Sequence, residues 1–205
     1  MRLIAATRNA AKVAELGRLV AGISEVEVAP HDISQKESSE RATTLEAIAS
    51  LKAASSSAII DRGELVVASD GGLLIPALGE RWDPLRTRRF AQGALSDRER
   101  ADALLALAAG LSGEERWIAW REALAVARDG EVLACWAAES CPGLLAENYD
   151  PEVIDAAEGF WVPALWICPE FGGRRLAELS PAERARRRDH WTQLGASLRA
   201  FLINL

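Results

Sequence analysis

The chain has 205 residues, 49% of them hydrophobic, and a formal charge of −6, which suits a globular protein with a substantial core. That acidic balance argues against general nucleic-acid binding or attachment to a membrane surface. No apolar run approaches the roughly 18 residues that a membrane helix needs, and the four apolar residues Leu3-Ile4-Ala5-Ala6 are too few for a signal peptide.

The first predicted elements are a strand over 2–6 and a helix over 9–21, in which Val13, Leu16, Leu19 and Val20 form one apolar stripe. Asn9 is a good N-cap and sets Lys12 in the first helical turn. A cation there opposes the helix dipole. A bound phosphate would reverse that sign, because free N–H groups at a helix start favour anions; a solvated lysine is the plainer alternative. A short strand near 26–28, a polar loop from His31 to Arg41 and a helix over 43–60 follow. Glu64 to Ala68 reads as a buried strand that ends at Ser69-Asp70-Gly71-Gly72. Residues 96–111 form an amphipathic helix capped by Ser96, and strands over 117–126 and 131–139 meet at Arg128-Asp129-Gly130. Residues 144–158 read as an acidic loop with a helical turn, and one capped helix begins at Ser180 with Pro181 in its first turn. Strands mixed with helices, one hairpin among them, predict an α/β fold with a mixed central sheet flanked by helices, organised as one domain over 1–205.

Cys135, Cys141 and Cys168 have no metal-ligand spacing and read as reduced residues of a cytoplasmic protein. Among 24 basic residues only Lys12, Lys36 and Lys52 are lysine. An ammonium is a compact charge on a flexible stem and suits phosphate oxygens. Three pieces therefore converge on phosphate chemistry: Thr7-Asn9-Lys12, the pair Glu46 and Lys52 on one helix, and Asp70 at a strand end before two glycines. The Asp70-Gly71-Gly72 stretch also reads as a plain turn. The run Arg184, Arg186, Arg187 and Arg188 reads as a solvated face paired with nearby acids, or as a phosphate or RNA contact.

In this order the pieces resemble the inosine triphosphate pyrophosphatase family of house-cleaning nucleoside triphosphate pyrophosphatases. Its opening Thr/Ser-x-Asn-x-x-Lys is matched by Thr7, Asn9 and Lys12, and its Glu-Asn-Ala-x-x-Lys-Ala helix falls on Ala47 to Ala53, with Lys52 in place. Its Asp-Asp-Ser-Gly-Leu falls on Ser69-Asp70-Gly71-Gly72-Leu73, its Ala-Leu-Gly on Ala77-Leu78-Gly79 and its Ser-Ala-Arg-Tyr on Thr87-Arg88-Arg89-Phe90. Ala177-Glu178-Leu179-Ser180-Pro181 stands intact. The departures fall at the chemistry. The helix glutamate becomes Ala47, with Glu46 beside it, and the first aspartate becomes Ser69. Gly-Phe-Gly-Tyr-Asp-Pro becomes Gly159-Phe160-Trp161-Val162-Pro163, and Ser-His-Arg is replaced near His190.

The resemblance implies an elongated two-lobed fold with a cleft between the lobes, a cytoplasmic homodimer, and hydrolysis of non-canonical purine nucleoside triphosphates to a monophosphate and pyrophosphate. It implies Asp70 and Lys52 as catalytic residues and a magnesium ion (Mg2+) held by Glu46 and Asp70. Thr7, Asn9, Lys12, Gly72, Thr87, Arg89, Phe160, Trp161 and His190 are implied as substrate contacts. A nucleotide-binding or regulatory protein that keeps only the phosphate cradle is the alternative.

Overall fold

The computed structural model describes residues 2–7, 9–29, 42–91, 96–156, 160–187 and 189–205. The predicted loop from His31 to Arg41 lies outside the described residues. The chain divides into two compact units, the first made of Met1–Gly71, Arg121–Glu139 and Asp189–Leu205, the second of Gly72–Trp120 and Ser140–Arg188.

In the first unit β1 (Arg2–Ala5) pairs in parallel with β2 (Glu25–Val28) and with β3 (Leu65–Leu74). The strand order is β2-β1-β3-β4, where β4 is Trp117–Arg128, and β5 (Glu131–Glu139) pairs antiparallel with β4. Asp129 and Gly130 both take positive φ, as the tight hairpin turn requires. The sheet is mixed, as the sequence predicts.

Alternation along the strands sorts the helices by face. Leu65 and Val67 of β3, with Leu124 and Val126 of β4, share one core with Leu16 of α1 (Ala10–Leu19) and with Leu194 and Leu198 of α6 (His190–Ile203). The other face carries α2 (Leu45–Ser57), which buries Ile48, Ala49 and Ala53 and packs on β5. The pairing of β1 with β3 ends at Ala5 opposite Val67, and β3 then runs on through Ser69 and Asp70. Both motif residues thus sit past the carboxyl end of β1, where open parallel sheets bind ligands.

In the second unit, the first residues of β4 pair with β6 (Gly143–Leu145), β6 with β7 (Trp166–Cys168) and β7 with β8 (Arg174–Arg175). Its core gathers Leu73, Trp82, Ile118, Leu145, Trp161 and Trp166 with residues of α3 (Asp97–Leu107) and α4 (Pro151–Asp155). Ser96 caps α3 through a capping box with Glu99. Arg116 is 7% exposed, and its guanidinium donates to the carbonyls of Ala108, Leu111, Leu145 and Ala146.

The single C-terminal helix of the sequence reading is corrected to two: α5 (Pro181–Arg186) and α6. Arg187 turns to extended backbone, and the Asp189 carboxylate then accepts from Thr192 N at 2.7 Å as a second N-cap. In the arginine run Arg184 and Arg186 are exposed, as a solvated face requires, Arg188 lies outside the described residues, and the solvated reading is corrected at Arg187 alone. Arg187 is buried, pairs with Glu170 at 2.9 Å, donates to Cys168 Sγ and stands over the Trp166 ring.

Candidate functional site

The helix start after β1 is built as the sequence predicts, yet its amides are already in use. Asn9 Oδ1 accepts from the N–H of Ala11 at 3.0 Å and of Lys12 at 3.2 Å, and Thr7 Oγ1 accepts from Asn9 N at 3.1 Å. With those amides satisfied, attraction for an anion rests on side-chain charge more than on free N–H groups.

Lys12 supplies that charge, and a residue absent from the motifs holds it. Its Nζ donates to Glu122 Oε1 at 2.7 Å and to Ser69 Oγ at 3.1 Å. Glu122 is 1% exposed, on the face of β4 that carries Leu124 and Val126. The unfavourable sign of a cation in the first turn of α1 is thus compensated from within the fold. The sequence offered one signal for Glu122: Arg121-Glu122 is a charged pair inside an otherwise apolar strand.

Lys52 pairs with Asp70 on the neighbouring β3 position, reaching it from α2. Ser69 and Asp70 are consecutive strand residues, so Lys12 and Lys52 approach them from opposite faces of the sheet. The two ammonium groups therefore meet one short stretch of backbone, each already holding a carboxylate.

Glu46, expected as a metal ligand, is placed otherwise. Its carboxylate pairs with Arg121 Nη2 at 2.5 Å, and Arg121 also holds Glu139 at 2.9 Å. The hydrogen bond from Arg121 keeps the Glu46 carboxyl below its usual range. Among the described residues no three His, Cys, Asp or Glu side chains gather as a metal-holding group. With Glu46 on Arg121 and Asp70 on Lys52, the described residues do not fit a protein-held magnesium ion.

His190 opens α6, with its ring 5.4 Å from that of Trp191 and its Nδ1 buried without a hydrogen-bond partner among the described residues. Burial pushes its pKa below the ordinary histidine value, while the nearby Glu122 carboxylate opposes that shift.

Several second-unit residues expected to touch substrate make packing contacts within the protein. Thr87 is buried; its Oγ1 accepts from Leu73 N and donates to Pro84 O, both at 2.9 Å. A Cβ on Gly72 would lie 2.1 Å from Pro84 O, so this glycine serves a close backbone approach inside the protein. Trp161 is 3% exposed in the core beside Phe90, which does not suit an aromatic face for stacking a base. Phe160 is exposed with its edge toward Trp120, and Arg89 is exposed.

Residues 3–198 match the model of the Ham1 family. A dITP/XTP pyrophosphatase of Gloeobacter violaceus is 34% identical over 185 residues, spanning 90% of this chain and 86% of its own. One from Symbiobacterium thermophilum is 32% identical over 183 residues, spanning 89% and 86%. Among solved structures, the Staphylococcus aureus Ham1 protein aligns with a TM-score of 0.77 at 20% identity over 100% of this chain and 99% of its own, which speaks to the fold alone. The nucleoside-triphosphatase / dITP/XTP pyrophosphatase of Mycobacterium abscessus aligns with a TM-score of 0.68 at 26% identity, over 98% and 99%. The match over nearly the whole chain, together with relatives above 30% identity, decides the assignment: the chain belongs to the Ham1 family.

Proposed function

We propose that this protein hydrolyses non-canonical purine nucleoside triphosphates, dITP and XTP among them, to a nucleoside monophosphate and pyrophosphate. The observation that carries the reading is the arrival of Lys12 and Lys52 at the adjacent residues Ser69 and Asp70, past the end of β1. The dITP/XTP pyrophosphatases that this chain resembles give the substrate class.

In this reading a triphosphate lies beside Ser69 and Asp70 of β3, and each lysine turns from its carboxylate to a phosphate oxygen. Developing charge on the transferred phosphorus is then met by fixed cations, the main source of catalysis in phosphoryl transfer. Asp70, released from Lys52, is free to accept a proton from the attacking water or to orient it. Thr7 and Asn9 stand at the phosphate side of the helix start. His190, Arg89 and Phe160 are kept as substrate contacts. A cytoplasmic homodimer belongs to the same reading; among the described residues no helix is long and apolar enough to cross a membrane.

One observation favours a second reading. Both carboxylates assigned to chemistry are held by cations, and no metal-holding group gathers around them among the described residues, which is what a nucleotide-binding protein without turnover would show. Pyrophosphate release from dITP, XTP, ITP and the ordinary triphosphates, with magnesium supplied, separates the two. The first reading expects turnover that favours the non-canonical bases. Saturable nucleotide binding with no pyrophosphate released would replace it with the second.

A further inference from the structure

We infer that Glu122 is a latch on Lys12: a positioning carboxylate that holds the ammonium against Ser69 in the resting protein and gives it up to a polyphosphate. The inference takes its ligand class from the proposed function and everything else from the geometry.

Glu122 lies on a row of β4 that continues into the fully buried Leu124 and Val126, with Ala138 opposite it on β5. An apolar side chain would fill that place at no cost in desolvation, whereas a buried carboxylate loses its water and is compensated only through polar and charged partners, Lys12 among them. Net stability is therefore a poor reason for a carboxylate here. Its partner is of the opposite kind, since Lys12 keeps 23% of its side chain exposed. The pair has one buried end and one open end.

An ammonium has three donors. Lys12 uses one on Glu122 and one on Ser69, which leaves one for an incoming acceptor, and an anionic acceptor then competes with the carboxylate for the charge of the ammonium. A phosphate oxygen is such an acceptor, and the flexible lysine stem can turn toward it while Glu122 stays fixed in the strand. Ser69 keeps the ammonium aimed at the β3 stretch in both states. Glu122 therefore weakens resting affinity for polyphosphate and in return fixes where Lys12 waits.

The test is a double-mutant cycle on the full chain, with inorganic tripolyphosphate as the probe and titration calorimetry as the readout. Glu122→Gln removes the competing charge and is expected to bind the probe about five- to tenfold tighter than wild type, on the scale of coupled charge pairs. Lys12→Gln is expected to bind about tenfold more weakly, and the double variant no tighter than Lys12→Gln alone. In pyrophosphate release, Glu122→Gln is expected to lower KM and kcat together, a split that mere loss of folded protein does not produce. Unchanged or weaker binding by Glu122→Gln overturns the latch. So does a gain that persists without Lys12, because Glu122 would then act only as a distant charge. Absence of tripolyphosphate binding by both wild type and Glu122→Gln overturns it as well. If the cycle holds but no triphosphate is turned over, the pyrophosphatase reading fails and the latch stands. Circular dichroism checks folding; should Glu122→Gln fail to fold, Glu122→Asp, which withdraws the carboxylate by one methylene, is expected to show the same sign at smaller size.

Discussion

Replacing Asp70 by Asn separates chemistry from stability more sharply than any other single change in this protein. The substitution keeps shape and removes one charge. What it costs the fold is small, because the Lys52–Asp70 pair is partly open, with side-chain exposures of 32% and 21%. Solvent screening limits such a pair to about 0.5 kcal/mol, which for a chain of this size moves the melting temperature by about 1–2 °C. What it costs the reaction is large if Asp70 accepts the proton of the attacking water. A positioned general base contributes about 10²–10⁴ in rate, or about 3–5 kcal/mol. The expected outcome is kcat for pyrophosphate release lowered by at least about a hundredfold, with the thermal transition nearly unmoved. Triphosphate binding is expected to be unchanged or tighter, because Lys52 no longer has a carboxylate to leave. Stopped-flow detection of pyrophosphate, a thermal melt and calorimetric binding measure the three quantities. An Asp70→Asn variant that keeps more than about a tenth of wild-type kcat would remove Asp70 from the chemistry and with it the proposed mechanism.

Other predictions concern the frame that carries the site. Arg116→Met leaves the carbonyls of Ala108, Leu111, Leu145 and Ala146 without their guanidinium donor; with unmet buried acceptors at about 1–3 kcal/mol each, denaturant unfolding is expected to lose about 3 kcal/mol or more, and a loss below about 1 kcal/mol would contradict the bracing role. Gly143→Ala would set a Cβ 2.0 Å from Trp166 Nε1 and 2.7 Å from Ile167 O, so a destabilisation of about 1–3 kcal/mol or more is expected, and a neutral melt would refute the packing. Glu183 receives the Ser180 N–H and hydroxyl at the start of α5 and also pairs with Arg174, which together hold its carboxyl down at about 2. Because its folded pKa is depressed, this cap contributes above the ordinary glutamate range and fades as pH falls through about 2. A carboxyl NMR titration that places Glu183 at an ordinary glutamate value would contradict the cap.

Much of the frame is legible in local patterns. The stripe of Val13, Leu16, Leu19 and Val20 and the cap at Asn9 predict α1, and the Asp129-Gly130 turn predicts the β4–β5 hairpin, because caps, turns and periodicity act over a few residues. The break between α5 and α6 is not predicted from local pattern although Asp189 is a cap residue, and it shows only where Arg187 turns to extended backbone. Among the site residues, the motif order led to Lys12, Lys52 and Asp70. Thr87 and Trp161, expected as substrate contacts, are buried, which motif position does not reveal.

The order of residues along this chain was enough to indicate most elements of the first unit, the family likeness and the ration of three lysines. Pairing between segments was not written there. That Lys12 meets Glu122 across 110 positions, that Arg121 takes Glu46, and that Lys12 and Lys52 reach Ser69 and Asp70 from opposite faces all follow from strand register. A shift of one residue in that register would exchange the faces and every one of these partners, and register is fixed by the buried apolar rows of the assembled sheet.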